Sequence, residues 1–208
     1  RTIPIVFAIA VDPVQRGLVT SLARPGGNLT GFTFGEYTAK QLQVLKEALP
    51  HATLVGFPLR EASPAIVQGA SAVGLRTRAI PVQGPADLES FFSALRAAKV
   101  DAVLFPNIPW ANANEEHIAA EALKNRLPLV ATWRNFARSG ALMSYGPNSE
   151  QHWRSLAVQV DKILKGVSVG ELPVEQPTRV ELVVNMKTAK TLRITLPPSI
   201  VARADEVI

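Results

Sequence analysis

Short apolar segments alternate with segments of helical periodicity along most of this 208-residue chain. The first apolar run, at 3–11, is rich in β-branched residues and is typical of a central parallel strand that is covered on both faces. The run at 101–105 has the same character, and a helical stretch with leucines on one face lies at 37–49. Because parallel strands are joined through helices, this alternation predicts an α/β fold with parallel sheets.

The alternation also predicts how the chain is divided. Residues 34–143 contain four consecutive strand–helix units, which is enough for a sheet of their own, whereas the flanking segments provide only parts of a second sheet. We therefore expect two lobes joined by more than one crossing of the chain. The prediction places 1–32 in the first lobe, 33–144 in the second, and 145–208 in a return to the first lobe and the hinge.

The stretch SLARPGGNLTGFT, residues 21–33, contains three glycines and raises the question of a phosphate-binding loop. A strand rather than a helix is predicted after it, so no helix N-terminus is available there to hold an anion. We interpret 25–28 as a turn that ends a helix predicted over 14–23 and leads into a strand over 29–33. The predicted hinge residues are Gly31, Phe32, Thr33 and Gly146.

Composition excludes several classes of protein. Without cysteine, the chain has no disulfide, no thiolate nucleophile and no cysteine metal site. The formal net charge of +5 comes from scattered lysines and arginines, so we expect no nucleic-acid partner. No apolar run approaches the roughly 18 to 20 residues of a membrane span, and we expect no membrane insertion of this segment.

The common enzyme signatures are missing as well. The sequence has no G-x-G-x-x-G or G-x-x-x-x-G-K-[ST] fingerprint and no G-x-S-x-G elbow. His51, His117 and His152 are predicted to lie on the surface, and no two of them have the spacing of a zinc pair. We therefore predict no catalytic residue, no metal site and no cofactor.

Residues at the carboxyl ends of the predicted strands form the candidate site, because open α/β sheets bind ligands in the crevice at this edge. They offer a carboxylate, a guanidinium, amide and hydroxyl groups and aromatic rings. This set suits a small organic solute with a charged end and an apolar body. The predicted ligand-binding residues are Asp12, Arg60, Asn107, Ile108, Trp110, Thr132, Trp133 and Tyr145.

Several of these positions have a purely structural alternative. Asp12 precedes a predicted helix and would cap it equally well. Trp133 and Tyr145 are equally compatible with core aromatics whose polar tips are satisfied. A long cation at a loop tip, such as Arg60, is more often simply exposed.

Three stretches resemble one family closely. They are IPIVFAIAVDPVQRGLVTSLARPGGNLTGFT at 3–33, RSGALMSYGPN at 138–148, and LPVEQPTRVELVVNMKTAKTLRITLPPSIVARADEVI at 172–208. In these stretches the chain is similar to the ABC-transporter substrate-binding proteins of the TrpX-like type, a branch of the type I periplasmic binding proteins. The resemblance spans nearly the whole chain.

The resemblance implies two Rossmann-like lobes with parallel sheets, joined by a multi-segment hinge. It implies a periplasmic receptor that captures a small solute, such as an amino acid or related compound, by hinge closure and passes it to the membrane permease of an ABC transporter. No signal-peptide pattern opens this chain, and we expect the start of the first lobe to precede Arg1. By position in the motifs, Asp12 belongs to the first-lobe side of the cleft, and Asn107, Trp133 and Tyr145 belong to the second-lobe or hinge side.

The residues by themselves leave two other classes open. An α/β enzyme, either a hydrolase or a transferase, would use Asp12 as its acid or base. The ligand-sensing domain of a regulator would share the same architecture. Because one fold hosts many functions, the receptor interpretation rests on the family motifs and not on the periodicity.

Overall fold

A computed structural model describes residues 3–10, 12–34, 37–177 and 179–208, which form two compact units. Unit 1 consists of Arg1–Glu36 and Pro147–Val180, and unit 2 consists of Tyr37–Gly146 and Glu181–Ile208. The chain therefore changes unit at three points along its length. The α/β class with parallel strands is confirmed.

The described strands are β1 (Ile5–Ala10), β2 (Leu29–Thr33), β3 (Leu54–Phe57), β4 (Arg76–Ala79), β5 (Ala102–Phe105), β6 (Leu129–Ala131), β7 (Met143–Pro147), β8 (Val180–Val184) and β9 (Glu206–Val207). The described α-helices are α1 (Thr38–Ala48), α2 (Pro64–Ala72), α3 (Leu88–Ala97), α4 (Pro109–Asn112), α5 (Glu115–Lys124), α6 (Arg134–Arg138), α7 (Ser149–Leu164), α8 (Met186–Leu192) and α9 (Pro198–Arg203).

Unit 1 contains the parallel pair β1 and β2, with Phe7 opposite Gly31 in the register. Helix α7 packs against both strands and buries His152, Leu156 and Gln159, which follow one another at helical spacing. The sequence pattern predicts an inner face of Leu156, Val160, Ile163 and Leu164 for α7. Leu156 is buried as expected, but the prediction is wrong for Val160 and Leu164, which are exposed.

Unit 2 is built on a seven-stranded sheet in the order β4-β3-β5-β6-β7-β8-β9. One apolar core contains residues of α1, α2, α8 and α9, and a second contains residues of α3, α5 and α6. Phe105 of β5 lies in the second core and contacts Phe91 edge-on, with ring centroids 5.7 Å apart. The central strands β5 and β6 are apolar and fully buried, as expected for parallel strands that are covered on both faces.

The C-terminal segment corrects the predicted division of the chain. The sequence predicts that 145–208 forms a return to the first lobe and the hinge, whereas Glu181–Ile208 belongs to unit 2. The physical reason is strand pairing: β8 is a neighbour of β7, and β9 pairs in parallel with β8. Only Pro147–Val180 lies in unit 1 together with the first strands.

The helix predicted over 14–23 is also wrong. The chain forms consecutive turns there, and Gly17 at φ +66° follows the single helical hydrogen bond from Arg16 N–H to the Asp12 carbonyl. Because α-helices rarely continue through a left-handed residue, the helix is not propagated. Among the described helices, none is both long and apolar enough to cross a membrane.

Candidate functional site

The strand order of unit 2 defines a switch point between β3 and β5. From β3 the chain continues to β4 on one side, and β5 pairs on the other side of β3. Ligands of open α/β sheets bind beyond the carboxyl ends of strands at such a point. Arg60 follows β3 and is exposed, whereas Asn107 and Ile108 follow β5 and are half-buried.

Asn107 holds the best-defined polar contact at this edge. Its Oδ1 accepts a hydrogen bond from Trp133 Nε1 at 3.0 Å and another from Asn112 Nδ2 at 2.8 Å. Because the indole nitrogen only donates, the acceptor atom of Asn107 is fixed as its oxygen. Among the described residues, the Asn107 amide nitrogen has no hydrogen-bond partner, so its two N–H groups remain available as donors.

Apolar groups surround this amide. Ile108, Trp110 and Trp133 are half-buried and pack against the second core of unit 2. Trp110 meets Phe105 edge-on, with ring centroids 6.4 Å apart. The structure thus brings Asn107, Ile108, Trp110 and Trp133 to one side of the sheet edge. We call these four residues the Asn107 cluster.

Tyr145 does not join the Asn107 cluster. Its ring packs against the other core of unit 2, and burial raises the pKa of its phenol, an effect that the charge of Arg203 partly opposes. Its backbone carbonyl and the Thr132 hydroxyl both accept hydrogen bonds from Gln41 Nε2, at 2.8 and 3.0 Å. Thr132 directly follows β6, but it is buried, so its hydroxyl is not an open polar contact.

Asp12 lies in unit 1 and is exposed. The capping alternative is wrong, since residues 13–28, directly after Asp12, form turns and no α-helix. Its backbone has φ +48°, in the left-handed region that a non-glycine residue adopts only at some cost. Lys99, Arg126 and Arg193 share this conformation, so it does not by itself mark Asp12 as functional, and its role in ligand binding stays a prediction.

The predicted hinge residues have packing roles of their own. Gly31 and Phe32 lie inside β2 of unit 1, and Thr33 ends this strand. A Cβ on Gly31 would lie 2.0 Å from the Phe7 carbonyl oxygen, so the pairing of β1 and β2 requires glycine there. Gly146 is the last residue of unit 2 before the chain enters unit 1. Their role in a hinge stays a prediction.

The surface interpretation of the histidines holds for two of them. His51 and His117 are exposed, but His152 is buried with 3% of its surface accessible. Its ring meets Phe32 edge-on, with centroids 4.7 Å apart, and burial lowers its pKa. The signal that was missed is its spacing of four residues from Leu156 on the buried face of α7.

An ion cluster follows directly after Trp133. Arg134, at the start of α6, pairs with Glu206 of β9, and its Nε lies 3.7 Å from Glu181 Oε1 of β8. Arg138 binds Glu206 at 3.0 Å. Partial burial would raise the pKa of Glu206, but the hydrogen bonds from the two arginines outweigh it and lower the pKa. These ion pairs connect β9, the C-terminal strand, with α6, the helix that follows Trp133.

One cavity, of about 740 Å³, is lined by residues 61–64, 67 and 68, which directly follow Arg60, and two others lie elsewhere in the units. One of about 50 Å³ in unit 1 is lined by Phe32, His152 and Glu175, and one of about 520 Å³ in unit 2 lies at the opposite edge of the sheet, beside His51 and Arg126. Neither is lined by the Asn107 cluster. In the part of the chain that is described, no three histidine or carboxylate side chains are grouped to hold a metal ion.

Comparison with known proteins identifies the family. Residues 1–208 match the family of ABC transporter substrate binding proteins, and the chain belongs to it. A tyrosine-binding protein of Clostridioides difficile (strain R20291) is 26% identical in an alignment 208 positions long, which covers 92% of this chain and 57% of that protein. The chain thus spans little more than half the length of this curated relative.

Solved structures show the same fold. A conserved domain protein of Vibrio cholerae O1 biovar El Tor has a TM-score of 0.89 and 27% identity, covering 100% of this chain and 72% of that one. An ABC domain from Streptococcus pneumoniae in complex with L-Trp has a TM-score of 0.87 and 23% identity, covering 99% and 73%. The matched family is one of substrate binding proteins, which agrees with the prediction of a binding protein.

Proposed function

We propose that this chain belongs to an extracytoplasmic receptor of an ABC importer, which captures a small organic solute by closure of two lobes and delivers it to a membrane permease. The observation that carries the proposal is the match to the substrate-binding family over the whole chain. A periplasmic location and the permease as partner are parts of the same proposal.

The proposed solute is an amino acid with an aromatic side chain, or a close analogue. Two proteins that are similar to this chain support this choice, since one is a tyrosine-binding protein and the structure of the other was solved in complex with L-Trp. In unit 2, the free N–H groups of Asn107 would donate to the carboxylate of the solute. The half-buried rings of Trp110 and Trp133 and the side chain of Ile108 would contact its apolar body.

Asp12 and Arg60 complete the proposed ligand contacts as charged groups, and both are exposed in their own units. A carboxylate suits the ammonium group of an amino acid, and a guanidinium suits its carboxylate. A ligand shifts the opening equilibrium only through differential affinity for the two states. We therefore propose that the solute contacts both lobes in the closed form.

Calorimetric titration of the full-length protein with L-tyrosine, L-tryptophan and a non-aromatic amino acid tests the proposal. Binding near micromolar affinity, about −8 kcal/mol, is expected for an aromatic solute. Asn107→Ala should weaken it about tenfold or more, because charge-assisted hydrogen bonds contribute roughly 1.5–3 kcal/mol.

The matched control is Asn125→Ala, an equally half-buried asparagine whose side chain bonds the Glu121 carbonyl at the far edge of the sheet. It should leave the affinity unchanged. Equal affinities for wild type, N107A and N125A would contradict the role of Asn107. Absence of binding by wild type to any of the solutes would contradict the proposed solute class.

A further inference from the structure

Gln41 is a polar side chain in the core of unit 2. It lies in the first turn of α1, on the same buried face as Leu45 and Ala48, and only 1% of its surface is accessible. Its Nε2 donates to Thr132 Oγ1 at 3.0 Å and to the Tyr145 carbonyl at 2.8 Å. A single amide group therefore holds α1, the end of β6 and β7 together.

The three segments that Gln41 joins have special positions along the chain. Helix α1 begins one residue after unit 2 starts at Tyr37. Tyr145 stands one residue before unit 2 is left at Gly146. Gln41 thus connects the segment by which the chain enters unit 2 with the segment by which it leaves for the first time.

The third segment leads into the Asn107 cluster. Thr132 is followed by Trp133, whose indole donates to Asn107. The backbone is tightly packed at this point, because a Cβ on Gly146 would lie 2.2 Å from the Thr132 carbonyl oxygen. A shift of β7 relative to β6 would therefore move Thr132, and Trp133 with it.

Hydrogen-bond chemistry explains why an amide occupies this position. Both partners use an oxygen as acceptor, and an amide nitrogen supplies the two N–H groups that they need. The amide oxygen of Gln41 is buried and has no partner among the described residues. Buried polar groups without a partner are uncommon in native structures. Gln41 therefore makes its two donated hydrogen bonds at the cost of leaving its own amide oxygen without a partner.

We propose that Gln41 is a positioning residue of the solute site, which keeps the Asn107 cluster in fixed register with the two segments that connect unit 2 to unit 1. Solute bound at the cluster is thereby coupled to movement of the connecting segments. The inference rests on the proposed receptor function.

The test compares Gln41→Met with a matched control, Gln159→Met. Gln159 of α7 in unit 1 is also 1% exposed, donates from Nε2 to the Pro173 carbonyl and to Glu175, and likewise has an unpartnered buried oxygen. Both substitutions remove two hydrogen bonds at similar volume, so both should lower the melting temperature of the full-length protein. Only Q41M should weaken solute binding, by about tenfold, and reduce the solute-induced decrease in the radius of gyration measured by X-ray scattering.

Thr132→Val provides a second variant, which removes one of the two acceptors of Gln41 and leaves Gln41 itself unchanged. It should weaken binding in the same direction, and the Q41M/T132V double variant should lose less than the sum of the two single losses, because both act through one contact. Wild-type affinity and compaction in both single variants, with lowered melting temperatures, would overturn the inference and leave the receptor function intact. If wild type itself binds no solute and does not contract, the receptor function is contradicted and the inference with it.

Discussion

The backbone of Gly146 lies directly against that of Thr132: a Cβ on Gly146 would lie 2.2 Å from the Thr132 carbonyl oxygen and 2.8 Å from its Cγ2. Neighbouring strands approach this closely only because one residue lacks a side chain. Gly146 is the residue at which the chain first leaves unit 2, and Thr132 directly precedes Trp133. Packing at this boundary and the geometry of the Asn107 cluster are therefore linked.

Gly146→Ala should destabilise unit 2. The backbone must shift to accommodate the methyl group, and overpacking of this kind costs about 1–3 kcal/mol. Urea unfolding monitored by tryptophan fluorescence measures the change. Gly84→Ala is the control, since a Cβ there meets nothing within 4 Å and the backbone is extended at φ −175°. Equal unfolding midpoints for G146A and wild type would contradict the close contact.

Gly31→Ala should disrupt the pairing of β1 and β2 in unit 1, and not only change the movement of a hinge. Its Cβ would lie 2.0 Å from the Phe7 oxygen, and φ is +143°, a conformation that L-residues adopt at a cost of about 1–3 kcal/mol. We expect faster hydrogen exchange of the β1 and β2 amides. Gly27→Ala, where a Cβ is free of contacts, should leave the exchange unchanged. Retained protection of both strands in G31A would show that the strand pair tolerates a side chain.

Acid stability should depend on Glu206. The pKa of this carboxyl is lower in the folded protein than its ordinary value of 4.5, so its contribution to stability is present above about pH 4.5 and is lost as the pH falls through the folded pKa. Because the ion pairs are partly exposed, the contribution should be about 1 kcal/mol or less. In urea unfolding between pH 3 and 6, the free energy of unfolding of Glu206→Gln should fall less with decreasing pH than that of wild type, by about 1 kcal/mol or less. Identical acid profiles for E206Q and wild type would rule out this contribution.

His152 should make unit 1 sensitive to a different pH range. Burial holds its pKa below the ordinary value of 6.5, so the unfolded chain binds a proton first and stability falls as the pH drops below about 6.5. His152→Leu should remove this part of the pH dependence and keep an apolar contact with Phe32. His117→Gln, at an exposed position, serves as the control. A pH dependence in H152L equal to that of wild type would exclude His152 as its source.

The strands and helices that could be predicted from sequence are those with a strong local pattern. The apolar run of β5, the helix predicted over 37–49 and the strand predicted over 29–33 all follow from neighbouring residues. The placement of β8 and β9 depends instead on pairing with distant strands. Local periodicity carries no information on such pairing, so the division of the chain was predicted wrongly for 181–208.

The candidate site shows the same limit. The position of Asn107 after a buried strand marked it as a candidate, but its contact with Trp133 joins residues 26 positions apart. Gln41 was missed because a polar side chain in a helix is ordinarily assigned to the exposed face, whereas this one lies on the buried face of α1. A buried position occupied by glutamine at the spacing of Leu45 is the signal that would have found it. The separation of Tyr145 from the Asn107 cluster depends on which face of the sheet each ring occupies.

Native mass spectrometry of the full-length protein, purified gently from cells, tests the central claim most directly. The receptor account predicts one small solute bound per protein molecule, which is released unchanged by denaturation and rebinds at about micromolar concentration. A protein that carries no solute and binds none from a panel of amino acids, or that converts the bound compound into a product, would contradict the account.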